Sequence, residues 1–209
     1  MPDHENKNDD ALEKAERHQK RMQKKKQRMD AAIANADKKQ GLFIVITGPG
    51  KGKSTSAFGM IARALGHNMK VSVGQFVKSR SDTGESAFFK QQEQVDWHTL
   101  GDGFTWETQN LQQDIETAQK GWAIVKEMLN DSSIDLVVID ELTYALNYKW
   151  LDTDDIINDI QNRPPMQHVV VTGRGAPKSL IEVADTVSEI KNVKHAYNDG
   201  IQAQNGIDL

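Results

Sequence analysis

Leu42-Phe-Ile-Val-Ile-Thr-Gly48-Pro49-Gly50-Lys51-Gly52-Lys53-Ser54-Thr55 is an apolar run that ends in a glycine-rich, basic turn and passes into the helix-forming stretch Lys53–Leu65. A turn of this kind between a buried strand and a helix lets backbone N–H groups converge on phosphate oxygens, and the positive helix end adds to the attraction. Gly48, Gly50 and Gly52 permit close backbone approach, Lys51 and Lys53 supply charge, and the Ser54 hydroxyl is the candidate magnesium ligand. The strict pattern would place glycine at position 47, where this chain has Thr47, and Pro49 carries no N–H. The loop is therefore read as a phosphate binder with one donor fewer than an all-amide cradle, and with a non-standard pose.

Outward from this loop, apolar runs alternate with amphipathic stretches. Strands are predicted at Leu42–Thr47, Val71–Phe76, Val95–Leu100, Ile134–Asp140, Val169–Thr172 and Thr186–Ile190, and helices at Lys53–Leu65, Leu111–Asn130, Thr153–Gln161 and Pro177–Ala184. Strand followed by helix, repeated, implies an α/β fold whose mostly parallel sheet is covered by helices on both faces. Such sheets bind ligands at the carboxyl ends of their strands, so function is expected in the loops after Thr47, Phe76, Leu100, Asp140 and Thr172.

Three of those loops carry further chemistry. Leu136-Val-Val-Ile-Asp140-Glu141-Leu142 ends an apolar strand in two carboxylates, which either cap a helix or offer hard oxygens to magnesium beside the phosphate loop. Gly101-Asp-Gly-Phe104-Thr-Trp106-Glu107 puts two aromatics in a glycine-rich loop, as core anchors or as part of a site. Val169-Val-Val-Thr172-Gly-Arg174-Gly175 sets a cationic fork at a strand end, where Arg174 can hold a phosphate or ribose or pair with a carboxylate.

The chain of 209 residues divides at about Gly41. Residues 1–40 hold 11 of the 26 Lys and Arg residues; within them, Ala11 to Ala36 is rich in helix formers and places large apolar residues only sparsely, at Leu12, Met22, Met29 and Ile33. That segment is read as a solvated helix or partly disordered arm, or else as a basic arm that folds over an anionic ligand. Residues 41–209 form the phosphate-loop domain. The net charge of -4 requires no nucleic-acid surface. Cysteine is absent, which excludes disulfides, thiolate nucleophiles and Cys-ligated metal centres and suits a reducing compartment. No run approaches the roughly 20 apolar residues of a membrane span. A cytoplasmic chain with no membrane or nucleic-acid partner is expected.

In combination, Thr47-Gly-Pro-Gly-Lys-Gly-Lys-Ser-Thr55, Gly103-Phe-Thr-Trp-Glu-Thr-Gln109, Val138-Ile-Asp-Glu-Leu-Thr-Tyr144, Thr172-Gly-Arg-Gly175 and the tail from Ala184 resemble the signatures of the ATP:corrinoid adenosyltransferases of the cobalamin-salvage type. The resemblance spans about Gly41 to Leu209 and implies a RecA-like, homodimeric enzyme that uses ATP and magnesium or manganese, with ATP reversed in the loop. It carries Gly48 to Thr55 over as the phosphate loop, Ser54 and Glu141 as the metal-associated pair, Arg63 as a nucleotide contact, and Phe104 and Trp106 as the aromatic pair near the corrinoid, while Arg174 stays a nucleotide-binding candidate on its own chemistry. Pro49 and Ser54 stand where the family pattern has Asn and Thr. The arm corresponds to a helix that closes over the corrinoid. The implied reaction is attack of cobalt(I) on the ribose 5′ carbon of ATP with triphosphate leaving. Lys53 and Glu141 would then act through charge and metal, and a reduced flavoprotein would supply electrons. A generic P-loop kinase or ATPase, and a regulatory binder without chemistry, are the alternatives.

Overall fold

The computed structural model describes residues 5–77, 83–101 and 110–208. The chain divides into two units, residues 1–39 and 40–209. The first consists of helix α1 (Glu5–Asn35). Side chains 13–40 are all exposed, so no tertiary burial supports the helix from residue 13 onward. Its support is local: strong helix formers, and ion pairs one turn apart such as Arg17 with Glu13 (2.7 Å) and Lys26 with Asp30 (3.4 Å).

The second unit is an α/β domain. In chain order its elements are β1 (Phe43–Thr47), α2 (Lys53–Leu65), β2 (Val71–Gln75), α3 (Gly84–Phe89), β3 (Val95–Thr99), α4 (Leu111–Asn130), β4 (Leu136–Asp140), α5 (Leu142–Asn147), α6 (Thr153–Gln161), β5 (His168–Thr172), α7 (Lys178–Val183) and β6 (Thr186–Glu189). A short 3-10 turn follows at Ala196–Asp199. The strands form one six-stranded sheet in the order β3-β2-β4-β5-β1-β6, and every pairing is parallel. No helix among the described residues is long and apolar enough to cross a membrane.

Strand periodicity explains how both faces are covered. In β4, Leu136 and Val138 point to one face and Val137 and Ile139 to the other, and all four are buried. The first face packs with Ile46, Val73, Val170, and Ala57, Phe58 and Ile61 of α2. The opposite face packs with Val45, Val169, Val171, and Trp122, Val125 and Leu129 of α4. Two-sided burial is why these strands read as nearly continuous apolar runs, and why the expected elements match the observed ones to within a residue or two.

The sequence reading did not anticipate α3 and α5. Each spans six residues, less than two turns, so neither displays a helical period. For α3 the local signal is Thr83, whose side chain accepts from the Ser86 N–H at the helix start. The strand order brings the carboxyl ends of β1, β5 and β4 side by side, so three segments far apart in sequence meet at one edge of the sheet.

Candidate active site

Gly52 (φ 113°) takes the left-handed turn that launches α2, whose first turn has no side-chain cap and presents its positive end. Gly48 and Gly50 have a different reason from the one expected. A Cβ at either would stand 2.5 Å from the carbonyl oxygen of Ile190 or Lys191 respectively. The chain leaving β6 lies directly against the loop: Ile190 N–H donates to Thr47 O (2.8 Å), and Gly50 N–H donates to Ile190 O (2.8 Å). These glycines admit the protein's own backbone, and the Gly50 amide is already engaged by it.

Lys53 is buried, 6% exposed, and its Nζ donates to Gly50 O at 2.8 Å. Burial holds this ammonium below the ordinary lysine value; Glu141 and Asp140 oppose the shift, while the Arg174 charge reinforces it. An ammonium kept out of water, with positive charge beside it, favours an anion.

The carboxylate pair after β4 divides its work. Asp140 is fully buried; its Oδ1 accepts from Thr172 Oγ1 (2.6 Å) and its Oδ2 from Gln75 Nε2 (3.0 Å). Gln75 Oε1 in turn accepts from Trp97 Nε1 at 3.2 Å. Glu141 sits left-handed (φ 59°), a conformation that costs a residue with a side chain about 1–3 kcal/mol, and its N–H donates to Thr172 Oγ1 at 2.9 Å. The segment after β5 is pinned from α5: Arg174 O accepts from Thr143 Oγ1 (2.7 Å) and Asn147 Nδ2 (3.0 Å). Gly173 has φ 142°, and a Cβ there would overlap the Thr143 hydroxyl.

These segments enclose a cleft of about 240 Å³, lined among others by Lys51, Lys53, Ser54, Glu141, Arg174 and Asp208. Three cations and the start of a helix on one small cleft suit a polyanion. Among the described residues no cluster of three His, Asp or Glu could hold a metal ion. The Ser54 hydroxyl and Glu141 carboxylate are nonetheless hard oxygen donors on the same cleft, which fits a magnesium-sized ion that keeps water and phosphate oxygens as its other ligands.

Of the residues singled out in the sequence, Gly50, Lys51, Gly52, Lys53, Ser54, Thr55, Glu141 and Arg174 line this cleft. Gly48 and Pro49 face a second, more apolar cleft of about 560 Å³, with Arg174 common to both. Arg63 does not join either: it is exposed in the last turn of α2, roughly 15 Å along the helix from Lys53. Phe104 and Trp106 lie outside the described residues. Glu85, His195, Ile207 and Asp208 complete the lining; none was assigned to the site from the sequence, because Glu85 lies on a short helix and the tail from Ala184 carried a family resemblance without a role for any one residue.

A parallel α/β sheet with this loop and cleft defines a phosphate-loop protein of the RecA-like class. Residues 39–209 match the family model described as ATP:corrinoid adenosyltransferase BtuR/CobO/CobP, and the chain belongs to that family. The corrinoid adenosyltransferase of Pseudomonas aeruginosa is 52% identical over 198 residues, 94% of this chain and 98% of the relative. Corrinoid adenosyltransferase CobA of Salmonella typhimurium is 45% identical over 193 residues, and the corrinoid adenosyltransferase of Escherichia coli 44% over 193; each match covers 92% of this chain and 98% of the relative.

Proposed function

We propose that this chain transfers the 5′-deoxyadenosyl group of ATP to the cobalt of a reduced corrinoid, and that the cleft at the carboxyl ends of β1, β4 and β5 holds the triphosphate. The observation that carries the site assignment is the convergence of Lys51, Lys53 and Arg174 with Ser54 and Glu141 on one cleft. Cobalt(I) donates an electron pair that becomes the bond to the ribose 5′ carbon, the carbon–oxygen bond to triphosphate breaks, and triphosphate leaves with the pair of that broken bond. Charge grows on the leaving group in the transition state, so fixed cations and oriented amides at the triphosphate lower the barrier.

Each residue then has a task. Lys53 and Lys51 neutralise phosphate charge, Arg174 clamps from the β5 side, and Ser54 with Glu141 would hold magnesium or manganese. The metal would supply further charge neutralisation on the leaving group. The reaction needs no nucleophile from the protein. Electrons that bring the corrinoid to cobalt(I) must come from a partner, since no redox-active thiol exists in this chain; a reduced flavoprotein fits. The enzyme is taken to act as a homodimer, with residues 1–40 as the lid over the corrinoid. Deleting that arm is expected to weaken corrinoid binding and spare ATP binding.

Anaerobic incubation with ATP, magnesium and chemically reduced cobalamin tests the reading. Adenosylcobalamin and triphosphate in equal amounts are expected. ADP and phosphate as the products would overturn it in favour of γ-phosphoryl chemistry.

A further inference from the structure

Glu141 reaches the phosphate cleft from a backbone conformation that a residue with a Cβ seldom adopts. On a regular continuation of β4 its side chain would follow strand alternation, opposite in direction to Asp140, whose carboxylate is enclosed. The left-handed turn at Glu141 breaks that alternation and begins α5, with no side-chain cap at the helix start. Something must hold the turn.

Thr172 is the group placed to do it. The register pairs Ile139 with Val171, which sets Thr172 level with Asp140 on the neighbouring strand. Its hydroxyl donates to Asp140 Oδ1 at 2.6 Å and accepts from the Glu141 N–H at 2.9 Å, so one oxygen fixes two successive residues. A hydroxyl can do both at once, having one donor and two acceptor sites; neither an apolar group nor a carboxylate has that combination. Asp140 is held from the other side by Gln75, and Gln75 by Trp97, so the anchor extends across β5, β4, β2 and β3. Thr172 itself is fully buried. Water cannot replace its bonds.

We propose that Thr172 is a positioning residue for adenosyl transfer: its hydroxyl locks the left-handed Glu141 backbone so that the carboxylate faces the metal and triphosphate in the cleft. The inference rests on the role given to Glu141 above. Thr172 touches no substrate, and its whole effect on the reaction runs through Glu141.

The test measures binding of manganese(II)·ATP to the full-length protein without corrinoid, following free manganese by electron paramagnetic resonance, with thermal melts confirming the fold. Thr172→Val is expected to weaken manganese·ATP binding roughly 10- to 100-fold, the usual effect of removing a group that orients a metal ligand. Thr172→Ser, which keeps the hydroxyl, is expected to stay within about threefold of the unaltered protein. In a Glu141→Gln background the same Thr172→Val change should weaken binding further by less than about twofold, because two residues that act through one contact are not additive. Thr172→Ala carries the test where valine prevents folding. Unaltered manganese·ATP affinity in folded Thr172→Val, with Glu141→Gln weakened, overturns this inference alone. So does a full additional loss in the double variant. An unaltered affinity in Glu141→Gln overturns the metal role of Glu141, and this inference with it.

Discussion

Lys51 Nζ and Asp208 Oδ1 lie 2.7 Å apart, so the tail sets a carboxylate against the phosphate loop on the wall of the cleft. The hydrogen bond from Lys51 holds the Asp208 carboxyl below its ordinary value. A depressed carboxyl favours the contact above the usual carboxylate range, and the contact is lost as pH falls through the folded-state value. A triphosphate entering the cleft must share Lys51 with this carboxylate or displace it. Asp208→Asn is therefore expected to tighten ATP binding by roughly two- to fivefold at neutral pH, the scale of an exposed ion pair. The gain should shrink in acid, once Asp208 is protonated in the unaltered protein. Titration calorimetry at two pH values checks this; weaker binding in the variant would make Asp208 a supporting wall of the site instead.

Lys53 gives a prediction about stability as well as binding. Its ammonium is disfavoured by burial, so between the depressed folded value and the ordinary 10.5 the unfolded chain binds more protons than the folded one. Stability must then rise with pH across that window, and the penalty is present in full below it. Lys53→Met is expected to abolish that rise and to leave the unliganded protein at least as stable at neutral pH. The same substitution should weaken ATP binding by roughly 10- to 100-fold, as expected for losing a hydrogen bond to a charged group. Chemical denaturation from pH 7 upward and nucleotide titration measure the two effects. A variant that melts early and binds normally would reverse both assignments.

What the sequence disclosed and what it concealed follow from one distinction. The loop from Gly48 to Thr55, the carboxylates after β4 and Arg174 were legible because each belongs to a contiguous strand-to-turn segment, where residue type and order carry the chemistry. The bonds that join those segments were not. Asp140 meets Gln75 across 65 positions and Thr172 across 32, and such pairings depend on strand order and register, which periodicity does not encode. Gly48 and Gly50 were recognised as necessary for a cradle, yet the backbone they admit is that of Ile190 and Lys191, a neighbour set by the β1–β6 pairing. For Arg63 the helix is legible in the sequence and the distance is not: ten residues of α2 separate it from Lys53 and this cleft.

If Phe104 and Trp106 stand at the corrinoid, as the family resemblance implies, their substitution tests the corrinoid end of the proposed reaction. Cobalt(II) is hard to reduce while a lower axial ligand donates to it, so an enzyme that needs cobalt(I) benefits from removing that ligand. Bulky apolar rings offer no donor and exclude water from the lower face. Cobalt(II) corrinoid bound with ATP is expected to be four-coordinate, and Phe104→Ala or Trp106→Ala to return much of it to the five-coordinate form. Turnover from cobalt(II) with an external reductant should fall more than turnover from pre-reduced cobalt(I). Electron paramagnetic resonance reports the coordination state, and an unaltered spectrum in both variants would assign the rings to packing alone.

Gly173 tests whether Arg174 works because its backbone is fixed. The φ of 142° lies where side chains are strained, and an added Cβ would overlap the Thr143 hydroxyl. That hydroxyl and the Asn147 amide both donate to Arg174 O, so pushing Thr143 aside loosens the carbonyl that anchors the arginine. Gly173→Ala is expected to destabilise the protein by about 1–3 kcal/mol and to weaken ATP binding. Thr143→Ala alone should cost only about 1 kcal/mol, because Asn147 still holds the carbonyl. In the double variant the overlap is gone but the backbone strain stays, so the combined loss of stability should be smaller than the sum of the two single losses. Denaturant melts and ATP titrations on the four proteins of this cycle decide the matter. Additive stability losses would show that the hydroxyl does not press on position 173, and native ATP affinity in Gly173→Ala would show that Arg174 reaches the triphosphate without a fixed loop.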